Sequence, residues 1–401
     1  MIESTVPERH DARRLARHYS RFRVGERVLL TGHSHQAWPD VAFEAQSQAW
    51  LDAADLVDGK WDLALAVAEE VREGYRRLLD DPDGHIALGQ NTHELVTRFL
   101  SALPLRDRPR IVTTDGEFHT VRRQLARLQE EGLEVVRVGA TGSGAIAPGA
   151  IAEAVVDAVD DRTAAVLISS VLFRNGLIVD GLGEVAAACG RVGASLLVDA
   201  YHSINVVPFS VTGMALEQAF VVGGGYKYCQ FGEGVCFLRI PADCSMRPVL
   251  TGWFSEFGGL AEEPDTGRVA YGEGPLRFAG STYDPVSHYR ARAVLRFFRS
   301  EHLDAPLLRA ISQDQLARLA RGIEALDIDP AVLTWNRELP LERRGGFLAL
   351  DVPKAGEVAA RLRRRGVFTD HRGSVLRLGP APYVTGAQLD ESVGLLGEVT
   401  R

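Results

Sequence analysis

Cysteine is scarce in this chain: four occur in 401 residues, at 189, 229, 236 and 244, and none has CxxC spacing. That argues against a disulfide framework and against a cysteine-bound metal site. No apolar run reaches the roughly 20 residues that a bilayer-spanning helix needs. The opening stretch, MIESTVPERHDARRLARHYSRFRV, is charged throughout and lacks the apolar centre of a signal peptide. Basic charge is not in excess either. Lys and Arg number 45 against 53 Asp and Glu, giving a net charge of −8, and they are scattered rather than gathered on one face. A general nucleic-acid binder would show a basic footprint. Repeats of fixed period and low-complexity tracts are also missing. What remains is the expectation of a reduced, cytoplasmic enzyme that works on neither membrane nor nucleic acid.

A chain this long exceeds what one compact core usually holds, so a large domain with a smaller companion is expected. In the middle of the sequence, short β-branched or apolar runs alternate with helical patterns. The runs predict strands at Arg110–Thr114, Val135–Gly139, Ala164–Ser169, Ser195–Asp199, Ala219–Gly223 and Val235–Ile240. Between them, apolar residues recurring every three or four positions predict helices, among them Thr120–Glu130 and Leu182–Val192. This alternation specifies an α/β fold whose mostly parallel, mixed sheet is covered on both faces. Beyond about residue 285 the texture changes to a long helix, His288–Glu301, Arg-rich helical segments and two short strands, Gly346–Asp351 and Val375–Leu378. The reading is a large domain over 56–285 and a small α+β domain over 286–401. An N-terminal segment, 1–55, packs with the latter.

Open α/β sheets bind ligands beyond the carboxyl ends of their strands, and two polar residues fall at such ends. Asp199 closes the run SLLVD. Lys227 follows a second run and the turn Gly223-Gly224-Gly225, where glycine permits positive φ and close backbone approach. Flanked by Tyr226 and Tyr228, the lysine can lose solvation and become a nucleophilic amine. Taken singly, a strand-end Asp is an ordinary cap and a Lys an ordinary surface group. Together, in this order and spacing, they match what pyridoxal phosphate requires: an amine for a Schiff base and a carboxylate that keeps the ring nitrogen protonated.

The pattern Asp199-Ala-Tyr-His202-Ser, then Gly-Tyr226-Lys227-Tyr228, then Gly232-Glu-Gly234, resembles the class V aminotransferase superfamily of pyridoxal phosphate fold type I. Gly252-Trp253-Phe254, Asp370-His371-Arg372, Leu376-Arg377 and Pro382-Tyr383 are similar to kynureninase within it. The resemblance spans residues 85 to 385. It implies that Lys227 carries the cofactor and shuttles protons, with Asp199 on the pyridinium nitrogen. His202 would lie near the phenolic oxygen or the phosphate, and Tyr226 and Trp253 would donate to the phosphate. Phe118 would stack on the ring, although an ordinary core phenylalanine fits the same letters.

In GQNTHELVTRFL, Asn91-Thr92-His93 leads into an apolar-periodic helix, so hydroxyl and backbone N–H groups there can meet an anion, or simply cap the helix. With the resemblance, Thr92 and His93 become phosphate ligands. Ser281 and Thr282 match a segment that reaches the phosphate of a neighbouring subunit, which implies a homodimer with shared active sites. Arg377, inside the apolar run VLRLG, is expected to bind the α-carboxylate of an amino-acid substrate with its two-pronged guanidinium.

Departures from the family bear on the substrate. Leu172 stands where the family has an Asn near the cofactor oxygen, with Ser170 or Asn175 as possible replacements. His33 and His35 occupy a loop near the substrate, where they read a substrate group or serve structure; Tyr383 is the third such candidate. The expected activity is kynureninase-like hydrolytic Cβ–Cγ cleavage of kynurenine or 3-hydroxykynurenine, giving an anthranilate-type product and alanine. The alternatives are other class V chemistry (C–S β-elimination, transamination or a specialised biosynthetic step) and a non-catalytic relative. A cysteine desulfurase is disfavoured because no cysteine follows Cys244.

Overall fold

A computed structural model describes residues 10–140, 147, 149–259 and 267–401. Residues 1–9 of the expected N-terminal segment lie outside the described residues. The apolar runs form a seven-stranded sheet. In chain order its strands are β1 His85–Gly89, β2 Arg110–Thr114, β3 Glu134–Val138, β4 Thr163–Ser169, β5 Ser195–Asp199, β6 Phe220–Gly224 and β7 Cys236–Ile240. The spatial order is β1-β7-β6-β5-β4-β2-β3. Pairings from β6 through β5, β4 and β2 to β3 are parallel, and β7 runs antiparallel to both β6 and β1. The mixed, mostly parallel α/β sheet read from the sequence is therefore present.

Side chains on the central strands serve two cores. On one face Ala165, Leu167, Leu197 and Val222 pack against Leu95, Phe99, Val121 and Leu125 of the helices Thr92–Ala102 and His119–Glu130. On the other, Val166, Ile168, Val198 and Val221 meet Ile151, Val155, Leu182 and Val185. All seven residues of β4 are buried, which is why it reads as a continuous apolar run rather than an alternating one.

Two elements escaped the sequence pattern. Strand β1 ends at a glycine and gains its place only by pairing with β7. Asp370–Arg372 (β9) is three polar residues at the edge of a small antiparallel sheet, ordered β9-β10-β8, with β8 Leu348–Asp351 and β10 Val375–Leu378. Neither has the periodicity that marks a half-buried strand. The expected helix at His288–Glu301 is Val286–Ser300, beginning directly after Pro285, where a proline is tolerated at a helix start. Near the N-terminus, Val28–Leu29 pairs in parallel with Val367–Phe368, and Thr31 bridges to Gly379. This lays the loop 31–38 across the region between Lys227 and the small sheet. Among the described residues no helix is long and apolar enough to cross a membrane.

Candidate active site

The ladder register brings the chemistry to one edge. Asp199 is the last residue of β5 and pairs with Ser169, the last of β4. Gly224 ends β6 opposite Cys236, and Cys236 in turn faces Gly89 at the end of β1. Segments 89–93, 114–120, 199–202 and 224–236 thus share the sheet's ligand-binding edge. Between them lies a cavity of about 230 Å³, lined among others by Thr92, His93, Phe118, Asp199, His202 and Lys227.

The glycine turn works by close packing, not by the positive φ expected for it. A Cβ at Gly224 would lie 2.5 Å from both Tyr201 Oη and Cys236 Sγ, and one at Gly225 would lie 2.5 Å from the Phe231 ring. Left-handed backbone appears slightly later, at Gln230, Gly232 and Gly234. The turn delivers Lys227 into the cavity with 6% exposure. Its Nζ lies 2.7 Å from His202 Nε2 and 4.5 Å from the Tyr201 ring centroid. Burial lowers its pKa from 10.5 to about 7, against the opposing pull of Asp199, with Arg377 lowering it further. His202 is driven well below its ordinary pKa by burial and then by Lys227, so a neutral imidazole faces the amine. Its other nitrogen, Nδ1, is buried without a partner.

Asp199 is half-buried at the cavity wall and accepts from the Tyr201 N–H at 2.9 Å. Burial raises its carboxyl pKa, opposed by that hydrogen bond and by Lys227. Asn91 caps the helix Thr92–Ala102 by accepting from the Glu94 N–H at 2.9 Å, which leaves the Thr92 and His93 side chains along the cavity. His93 Nδ1 is 2.7 Å from Gln124 Nε2. Tyr226 also lines the cavity, with burial pushing its phenol up to about 12. Over it stacks the His35 imidazole, exposed at the rim, at 5.1 Å between centroids.

Other expected site residues lie elsewhere. Ser170 does not line the cavity; its hydroxyl is taken by the Asp199 carbonyl at 3.1 Å and Ser203 Oγ at 2.8 Å. Asn175 is a turn former whose Oδ1 accepts from Leu177 N–H, and Leu172 is a core side chain. Trp253 is 44% exposed, packed on Phe254, and does not line its own chain's cavity. Ser281 and Thr282 line a neighbouring cavity of about 460 Å³ that contains no lysine. Tyr383 is buried, and its hydroxyl accepts from the Ala37 N–H at 3.0 Å, so it braces the 31–38 loop.

Arg377 is fully buried but is not on the cavity wall. It donates to the Phe173 carbonyl at 2.9 Å and pairs with Asp370, which also pairs with Arg372 at 2.6 Å. The buried guanidinium is therefore neutralised by an internal carboxylate. His33 stacks on Phe347 at 4.6 Å and lies 3.5 Å from Asp370. Burial takes its pKa to about 3, so at neutral pH that contact is between a carboxylate and a neutral ring. Tyr201, Gln90, Thr120 and Cys236 line the cavity without having been singled out. Tyr201 lies within the DAYHS motif and was legible there; the others depend on strand pairing.

The donor set fits pyridoxal phosphate: a partly neutral buried amine, a carboxylate on the same cavity, aromatic rings flanking both, and a helix N-terminus at one end. A model of the kynureninase C-terminal domain matches residues 309–396. The chain is 22% identical over 340 residues to the uncharacterized aminotransferase YcbU of Bacillus subtilis (strain 168), covering 83% of this chain and 84% of that protein. It is 28% identical over 235 residues to the kynureninase of Burkholderia mallei (strain SAVP1), covering 57% of this chain and 54% of that enzyme, so the match spans about half of its length. Among solved structures, a C-DES mutant with glycine covalently linked to its pyridoxal phosphate cofactor superposes with a TM-score of 0.82. Its identity is 16%, over 95% of this chain and 98% of that one. The chain has the pyridoxal phosphate fold type I and is similar in sequence to aminotransferase and kynureninase members of the class V aminotransferase-like superfamily.

Proposed function

We propose that this chain is a pyridoxal phosphate-dependent enzyme that cleaves the Cβ–Cγ bond of kynurenine or 3-hydroxykynurenine by hydrolysis, yielding an anthranilate-type acid and alanine. The observation that carries the cofactor assignment is the buried Lys227 amine on one cavity with Asp199. Support for the kynureninase-like activity comes from the family model over 309–396 and from the partial identity to a kynureninase. The cofactor, when bound, stabilises negative charge at the substrate's α-carbon. Lys227 would hold the cofactor through its aldehyde and supply the base for the substrate's α-proton. Asp199 would keep the ring nitrogen protonated. His202, neutral and 2.7 Å from Nζ, orients the amine. Phe118 and Tyr201, which line the cavity, would help exclude water from the ring. Ser281, Thr282 and Trp253, which do not line their own chain's cavity, complete the phosphate site of a second copy in a homodimer.

Two measurements test this reading. Offered kynurenine, 3-hydroxykynurenine, cysteine conjugates and alanine in turn, the loaded protein should release fluorescent anthranilate-type product, with an equivalent of alanine, from the two kynurenines alone. Pyruvate and ammonia from the cysteine conjugates, with no anthranilate, would replace the hydrolytic assignment by β-elimination. The second concerns pH. Only the neutral amine attacks the aldehyde, so capture of pyridoxal phosphate by the apo-protein should rise with pH, reach half its plateau near 7 and then flatten. A rate still climbing toward the ordinary lysine value of 10.5 would place a solvated lysine at the reacting position.

A further inference from the structure

Behind Phe118 lies a carboxylate that touches neither the cavity nor any cation. Glu117 is 6% exposed. Its Oε1 accepts from Thr114 Oγ1 at 2.7 Å and from the Ser169 N–H at 3.0 Å, and its Oε2 accepts from Ser169 Oγ at 2.5 Å. Burial raises its carboxyl to about 7 in spite of those three bonds, and the charge of Asp199 adds to the rise. A buried carboxylate without a counter-ion is costly, so its position calls for an account.

The three partners supply one. Thr114 is the last residue of β2 and Ser169 the last of β4. Ser169 is the ladder partner of Asp199. Phe118, the next residue after Glu117, leaves the turn in an extended conformation as the N-cap of the helix His119–Glu130. Phe118 has no side-chain capping bond of its own, yet its ring lines the cavity 5.6 Å from Lys227 Nζ. One side chain therefore ties the turn that carries Phe118 to the strand end beside Asp199.

We propose that Glu117 is a positioning residue of the cofactor site, fixing the Phe118 ring over the cavity by clamping its turn to the end of β4. The inference rests on the pyridoxal phosphate reading and adds a residue to it that makes no contact with the cavity.

The test is a double-mutant cycle on cofactor affinity, with Glu117→Gln, Glu117→Ala, Phe118→Ala and the Glu117→Ala/Phe118→Ala pair. Each apo-protein is titrated with pyridoxal phosphate by the visible absorption gained on condensation, and its thermal unfolding is recorded alongside. Glu117→Ala should weaken cofactor binding about tenfold, within the range of coupled neighbours. Glu117→Gln should stay within about twofold, because the amide oxygen still accepts from Thr114 and the Ser169 N–H. The double variant should bind no more weakly than Phe118→Ala alone. Additive losses in the cycle would overturn the inference. So would a Glu117→Ala protein that loses thermal stability but keeps its affinity, or a Glu117→Gln protein as impaired as Glu117→Ala. If Glu117→Ala does not fold, Ser169→Ala removes the one donor at Oε2 and enters the same cycle. Failure of the unmutated protein to gain the band would refute the cofactor reading itself; a normal band with an additive cycle refutes only the role of Glu117.

Discussion

Lys227→Ala should leave a folded protein that gains no visible absorption with pyridoxal phosphate, with turnover down by about 10⁴-fold or more. The reason is local. The amine is buried, partly neutral near pH 7 and aimed into the cavity beside His202. Asp199 is the other charged side chain of the strand ends there, and no second lysine lines that cavity. Alanine removes both the bond-forming nitrogen and the base without touching the cores on either face of the sheet, so the unfolding temperature should change little. Borohydride treatment of the unmutated protein followed by peptide mass analysis should locate the reduced pyridoxyl group on Lys227. A label on any other lysine would dismantle the assignment.

Asp199→Asn separates electrostatics from anchoring. The amide keeps the carboxylate's shape, and its oxygen can still accept the Tyr201 N–H that Asp199 accepts at 2.9 Å. What it lacks is the negative charge that holds a proton on the ring nitrogen. The visible band should therefore still form, because Lys227 is intact, while turnover falls by about 10³-fold, the scale of losing one preorganised electrostatic partner. Because Asp199 raises the Lys227 pKa, the pH midpoint for cofactor capture should also move downward in this variant. Unchanged turnover would mean that the carboxylate does not meet the ring.

Much of this site was written in short stretches of sequence. All six strands expected from apolar runs have ends within one residue of those observed; all but the edge strand β3 lie largely in the buried interior, with apolar side chains on both faces. Asp199 and Lys227 stand at the ends of such runs, so their convergence follows from the parallel order of the sheet. Less legible were groups whose meaning depends on a distant neighbour. The pairing of Arg377 with Asp370 becomes visible only once β9 pairs with β10 and sets the two opposite each other. Trp253, Ser281 and Thr282 come from separate later segments and do not line the lysine's cavity. Glu117 looks like an ordinary turn residue until Ser169 arrives from another strand.

The amino-acid order alone determined the α/β class, the positions of the buried strands and the amine–carboxylate pair at their ends, since periodicity and strand-end placement are local properties. Tertiary structure decided which loops share the cavity, which carboxylate neutralises Arg377 and what holds the Phe118 turn. Those contacts join residues far apart in the chain, and no short window of sequence contains both partners.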